Sequence, residues 1–172
     1  EAYFSNYIEG TTFEIEEAEE IIFNKKIPIQ RPKDAHDVLG TYSIVADPNN
    51  IKKTPQNFSD LQILLKQRHQ ILMANRAEAM PGQYKSRPNR AGDSHFVHPN
   101  EIEGTLEKGF ERYLDLPLGL SHSIFMMFLI AEIHPFTDDN KKITQIMMNS
   151  VLSSVGLSTI IIPNVYREDY IL

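Results

Sequence analysis

Residues 133–145, IHPFTDDNKKITQ, decide how this chain is read, because they separate two apolar stretches. Before them, Ile124-Phe125-Met126-Met127-Phe128-Leu129-Ile130-Ala131 is apolar on every face. That is the pattern of a helix buried all round, in which each large side chain contributes roughly 1.5–3 kcal/mol. The run is too short to cross a bilayer. After them, Ile143, Ile146, Met147 and Val151 or Leu152 recur at helical spacing, with Gly156 as the expected stop. A buried helix should therefore deliver His134, Pro135 and Phe136, and then a run of polar residues, to the start of a second helix.

The residue types at that junction have a common chemistry. Free backbone N–H groups at a helix start attract phosphate, Asn140 could cap the helix or hold an anion, and Lys141 and Lys142 add positive charge. Asp138 is a hard oxygen ligand of the kind Mg²⁺ takes alongside phosphate oxygens. His134 can remove a proton from an attacking hydroxyl at neutral pH. Base, carboxylate and anion nest in one short loop suggest phosphoryl or nucleotidyl transfer. A plain helix–loop–helix turn with a solvated polar loop fits the same spacing.

The stretch HPFTDDNKK, His134 to Lys142, resembles the signature loop of the Fic family, usually written HPFx(D/E)(G/A)N(G/K)RxxR. The resemblance implies an all-α, Fic-like helical domain with a small β-hairpin flap. It also implies Mg²⁺-dependent transfer of AMP from ATP onto a Ser, Thr or Tyr hydroxyl of a protein, self-modification included. In that family pattern His134 would be the general base and Asp138 the Mg²⁺ ligand. Asn140 and Lys142 would hold phosphate in catalysis, Asp139, Lys141 and Gln145 would complete the nucleotide site, and Phe136 would anchor the loop. Three positions depart from the family. Asp139 replaces a small residue where backbone approaches phosphate, unless its side chain points to solvent. Lys142 replaces an arginine and loses the bidentate fork. Gln145 replaces the arginine that typically holds the γ-phosphate. These departures leave open a degenerate domain that binds a protein or nucleotide without turnover, or a transferase with another phosphate donor.

Outward from the loop, EAYFSNYIEG at residues 1–10 carries a second match. Ser5, Glu9 and Gly10 fit the inhibitory pattern (S/T)xxxE(G/N) of self-restrained Fic proteins, whose glutamate reaches the last signature arginine. With Gln145 at that place, Glu9 is expected to make a weaker bond there or to turn to Lys142. Residues 81–98, PGQYKSRPNRAGDSHFVH, break the helical rhythm and read as a hairpin or loop. They resemble the family's flap over the active site, which docks the target segment by strand-like pairing, with Gly82, Tyr84 and Gly92 as its markers. His95 and His98 lack an acidic partner or a helix, which argues against a metal site.

Elsewhere, a helix is expected from Thr11 with Glu14 completing a capping box, its acidic run forming a solvated face. Prolines punctuate 24–57 around a short helix near 35–45. An amphipathic helix should run from Ser59 to about Ala77, with Leu61, Leu64, Leu65, Arg68 and Leu72 on one face and His69 at the surface or boundary. Asn100 with Glu103 starts another, with Ile102, Leu106, Phe110, Tyr113 and Leu114 facing the core and Pro117 ending it. After an extended or connecting 157–163, a last helix is expected from Val165, carrying Tyr166 and Tyr170 mainly as packing residues.

The 172 residues suit one domain, read as 1–172 and as a piece of a longer chain. A net charge of −6 and no basic stripe argue against nucleic acid, and no run suggests a membrane anchor. The absence of cysteine excludes disulfides, thiolate catalysis and zinc–thiolate sites. The expected partners are a nucleotide and a hydroxyl-bearing protein, in the cytoplasm, with a homodimer left open.

Overall fold

The structure is a computed structural model that describes residues 1–163. The helix expected from Val165, with Tyr166 and Tyr170, lies outside these residues. Among the described residues the helices are α1 (Ala2–Ile8), α2 (Ile15–Asn24), α3 (Pro32–Val45), α4 (Pro48–Ile51), α5 (Phe58–Leu72), α6 (Ile102–Leu114), α7 (Leu120–Ile133) and α8 (Asn140–Ser154). Between α5 and α6 lies a two-stranded antiparallel hairpin, β1 (Arg90–Ala91) and β2 (Ser94–His95), with Arg90 opposite His95. The expected all-α fold with a small hairpin is what forms.

Local chemistry sets the helix ends. Glu14 is itself the N-cap of α2 and forms a capping box with Glu17, so α2 starts at Ile15 rather than at Thr11. Pro32 opens α3 at the position where its missing N–H is not needed, which lengthens the expected 35–45 helix. Asn57 caps α5 through its side-chain oxygen to the Asp60 N–H at 2.9 Å, so α5 starts at Phe58, and it stops at Leu72, short of Ala77. Gly156, at φ +76°, stops α8 as expected.

Helix α8 is the hub, buried at almost every position from Asn140 to Leu152. Its Ile143, Ile146, Met147 and Val151 join Leu61, Leu65 and Leu72 of α5, Leu106 and Phe110 of α6, and Met126, Leu129 and Ile130 of α7 in one core. Gly109 lets α6 approach α7, since a Cβ there would sit 2.1 Å from Leu129 Cδ1. The buried helix expected before the loop is only half buried. Leu120, Ile124 and Phe128 form an exposed stripe at four-residue spacing, and Phe128 is 53% exposed, because neighbours pack on one side of α7 only. Leu114 likewise faces out, whereas Ile102, Leu106, Phe110 and Tyr113 face in.

Smaller layers flank this core. Phe13, Ala18, Ile21, Ala35 and Val38 join α2 to α3. Helix α1 rests on α3 through Asn6, whose Nδ2 donates to Thr41 Oγ1 at 2.9 Å. The stretch after α8 is held by Asn149, which accepts from the Ile160 N–H at 2.8 Å and donates to its carbonyl at 2.9 Å. Arg68 is fully buried and, among the described residues, pairs with no carboxylate. It donates to the carbonyls of Asn50 and Lys53 at the C-terminal end of α4, and burial lowers its pKa to about 10.

Candidate active site

Helix α7 ends on His134, whose backbone is left-handed (φ 51°, ψ 61°) and whose N–H still closes on Ile130 O at 2.9 Å. Pro135 then prevents the helix from continuing. The His134 Nδ1 lies 3.0 Å from Ala131 O. A carbonyl can only accept, so Nδ1 carries the hydrogen and Nε2 keeps its lone pair. Burial lowers the imidazole pKa, the hydrogen bond to Ala131 opposes this, and the charges of Lys85 and Lys141 add to the lowering. His134 is thus neutral at pH 7 and able to accept a proton.

Phe136 anchors the loop. It is fully buried and stacks on His69, with ring centroids 3.9 Å apart and planes at 4°. His69, expected near the surface, is wholly buried because Phe136 covers it. Its Nδ1 accepts from the Gly82 N–H at 3.0 Å, and burial presses its pKa to about 4. Asn140 does not cap α8. Its Oδ1 accepts from the Phe136 N–H at 2.9 Å and its Nδ2 donates to Phe136 O at 2.9 Å, closing the loop on itself.

Asp139 is the residue before α8, left-handed at φ 61°, with no side-chain capping bond. It does not point to solvent. Its Oδ1 is 2.8 Å from Lys142 Nζ, and both side chains are buried. Burial pushes the Asp139 carboxyl up against the pull of Lys142. Asp138 is exposed, with Oδ1 accepting the Asp139 N–H at 2.8 Å. Lys141 is half-buried, and Gln145 is buried with no partner for Nε2.

At the end of α1, Ser5 is buried and Gly10 turns the chain at φ 93°. Glu9 faces a cavity of about 230 Å³ shared with Gly10, Asp37, Arg76, Asp139 and Lys142. Its Oε1 is buried without a hydrogen-bond partner, and so is Gln145 Nε2, so the two do not bond. Lys142 is already held by Asp139. Burial and the nearby Asp139 push the Glu9 pKa up to about 7. Because that value lies above the ordinary 4.5, the folded state holds this proton more tightly, and stability falls as pH rises from about 4.5 to about 7. Glu9→Gln should therefore exceed the unaltered protein in urea midpoint at pH 8 and match it near pH 4.5. The difference cancels the opposing contributions of His69 and His134, whose lowered values favour higher pH. Equal midpoints at both pH values would show that Glu9 is not buried as described.

The flap markers separate. Gly92 sits at the tip of the β1–β2 turn, at φ 56°, whereas Gly82 binds His69. Tyr84 turns inward, 5.5 Å from the Phe136 ring, with a buried hydroxyl, so it supports the loop and does not present a docking surface. The segment supplies residues that sequence reasoning missed. The Lys85 N–H donates to Pro135 O at 2.9 Å and its Nζ to Asn89 Oδ1 and Ile133 O, while Asn89 Nδ2 donates to Phe136 O at 3.1 Å. Phe96 stacks on His134 at 3.6 Å and 8°. Lys85 is buried, and that burial lowers its pKa to about 8. The local sequence QYKSR gives no apolar pattern around Lys85 that would signal this strap.

The family model described as Fic/DOC matches residues 58–152, and the chain belongs to that family. It is similar to the Protein adenylyltransferase Fic of Nematostella vectensis, 28% identical over 98% of this chain and 40% of that protein. The chain thus spans less than half of that relative. Among solved structures, a Fic domain containing signaling protein from Bacteroides thetaiotaomicron superposes with a TM-score of 0.78 at 20% identity, covering 98% of this chain and 67% of that one. Fic-1 from C. elegans gives 0.78 at 16% identity, covering 98% and 52%.

Proposed function

We infer that this chain is the transferase domain of a protein adenylyltransferase, moving AMP from ATP to a Ser, Thr or Tyr hydroxyl of a protein, with Glu9 as an intrinsic brake. The observation that carries this reading is His134 at the mouth of α8, with Nδ1 committed to Ala131 O so that the Nε2 lone pair is left to accept a proton. Family membership and the similarity to the Nematostella adenylyltransferase support it.

In this mechanism His134 Nε2 takes the proton of the acceptor hydroxyl as its oxygen attacks the α-phosphorus. The new P–O bond forms, the bond from the α-phosphorus to the bridging oxygen breaks, and pyrophosphate leaves. The free N–H groups at the α8 start face the developing charge. Asn140 acts through the loop, since its amide is spent on Phe136. Among the described residues no three acidic or histidine side chains cluster as a metal cage. Mg²⁺ commonly uses one or two carboxylates with phosphates and water, so the exposed Asp138 alone fits that mode. Asp138 would hold the ion, which when bound neutralises phosphate charge. Glu9, in the cavity beside Asp139 and Lys142, would repel phosphate from it, and the hairpin around Gly92 would dock the target segment.

A second reading, a nucleotide- or protein-binding domain without turnover, or one with a donor lacking a γ-phosphate, is favoured by the pairing of Lys142 with Asp139 and by the neutral Gln145. Intact-mass spectrometry of Glu9→Gly with Mg-ATP, beside His134→Ala in the same background, separates them. One AMP added to the chain or to a lysate protein, and lost without His134, is the expected result. No adduct on any protein sinks the transferase reading.

A further inference from the structure

We propose that Asp139 determines what the nucleotide site admits: its carboxylate occupies, on Lys142, the place of a substrate phosphate, and a phosphate enters there only as Asp139 swings away. This rests on the reading of the α8 start as a phosphate site.

An aspartate before a helix ordinarily accepts from the first-turn N–H groups. Asp139 makes no such bond, so the helix is not what its side chain serves. It also holds a left-handed backbone that favours glycine, at φ 61°. Its Oδ1 meets Lys142 Nζ at 2.8 Å, while Oδ2 is buried with no partner. Among the described residues Asp139 is the one carboxylate in ion-pair contact with Lys142, although Glu9 and Asp37 line the same cavity. Arg76, the other positive group on this cavity, is already bound by Asp34 and Asp37 at 2.8 and 2.7 Å. Gln145 offers no charge one turn further on. The carboxylate therefore takes the one buried cation of α8 that could grip an incoming phosphate, and it adds negative charge next to Glu9 in the same cavity. The site thus discriminates against the phosphate that would lie on Lys142. Removing the carboxylate should open the site to inorganic phosphate, pyrophosphate and ATP alike.

Thermal unfolding tests this without relying on turnover. Asp139→Gly leaves Lys142 buried and unpaired, so it should melt below the unaltered protein in phosphate-free buffer. It should recover by several degrees in millimolar phosphate or pyrophosphate. The unaltered protein should not respond, and Asp139→Gly with Lys142→Met should lose the response. Mg-ATP should bind Asp139→Gly at least about tenfold more tightly than the unaltered protein. Asp139→Asn, which keeps the volume without the charge, gives the same comparison if the glycine variant does not fold. Equal phosphate and ATP responses in the variants and the unaltered protein would overturn the proposal. Phosphate binding gained by Asp139→Gly without any AMP adduct on the Glu9→Gly background would support it and overturn the transferase reading.

Discussion

Phe136→Ala should lower the unfolding free energy by about 3–5 kcal/mol, the range for truncating a buried aromatic where the gap cannot close. The ring is fully buried, and its neighbours come from separate elements: His69 on α5, stacked at 3.9 Å, and Tyr84 on the segment before the hairpin. The Phe136 backbone is pinned on both sides by Asn140, so the loop cannot sink into the hole. The loss includes an aromatic stacking contribution of about 0.5–1.5 kcal/mol. Denaturant unfolding reads the total, and the His69 titration followed by NMR should return from about 4 toward 6.5 as water reaches the imidazole. A loss below about 1 kcal/mol would mean the loop is not anchored through this ring.

Lys142→Met should cost a similar amount, about 3–5 kcal/mol, because Asp139 is left as a buried carboxylate without a cation. The pair itself is worth less than that loss, since both charges left water to make it. Asp139→Asn with Lys142→Met should therefore recover a large part of the stability, which a double-mutant cycle measures. The single variant should also become more stable on acidification, as its raised Asp139 carboxyl takes a proton that relieves the unpaired charge. A single substitution that changes stability by less than about 0.5 kcal/mol would show that the pair is open to solvent.

The HPF stretch was legible because its chemistry is local. A helix that runs to Ile133, a proline behind His134, and an aromatic that must be buried follow from a few consecutive residues, and the family pattern in them named the family. The apolar run of α7 misled for the opposite reason. Composition states that Ile124 and Phe128 are apolar, but only the placement of α6 and α8 decides that one side of the helix has no neighbour. His69 was misplaced likewise, since what covers it comes from a segment more than sixty residues away.

What the sequence determined alone is the helical character, the loop that carries His134, and the match of Glu9 and Gly10 to an inhibitory pattern. These depend on spacing along the chain and on hydrogen bonds that close within one turn. Tertiary structure alone decided the partners: Asp139 with Lys142, Lys85 and Asn89 with the loop carbonyls, and Glu9 on a cavity it shares with Lys142 without pairing with it. Charges and buried amides choose partners by distance and desolvation once the elements have packed, and no local pattern encodes that distance.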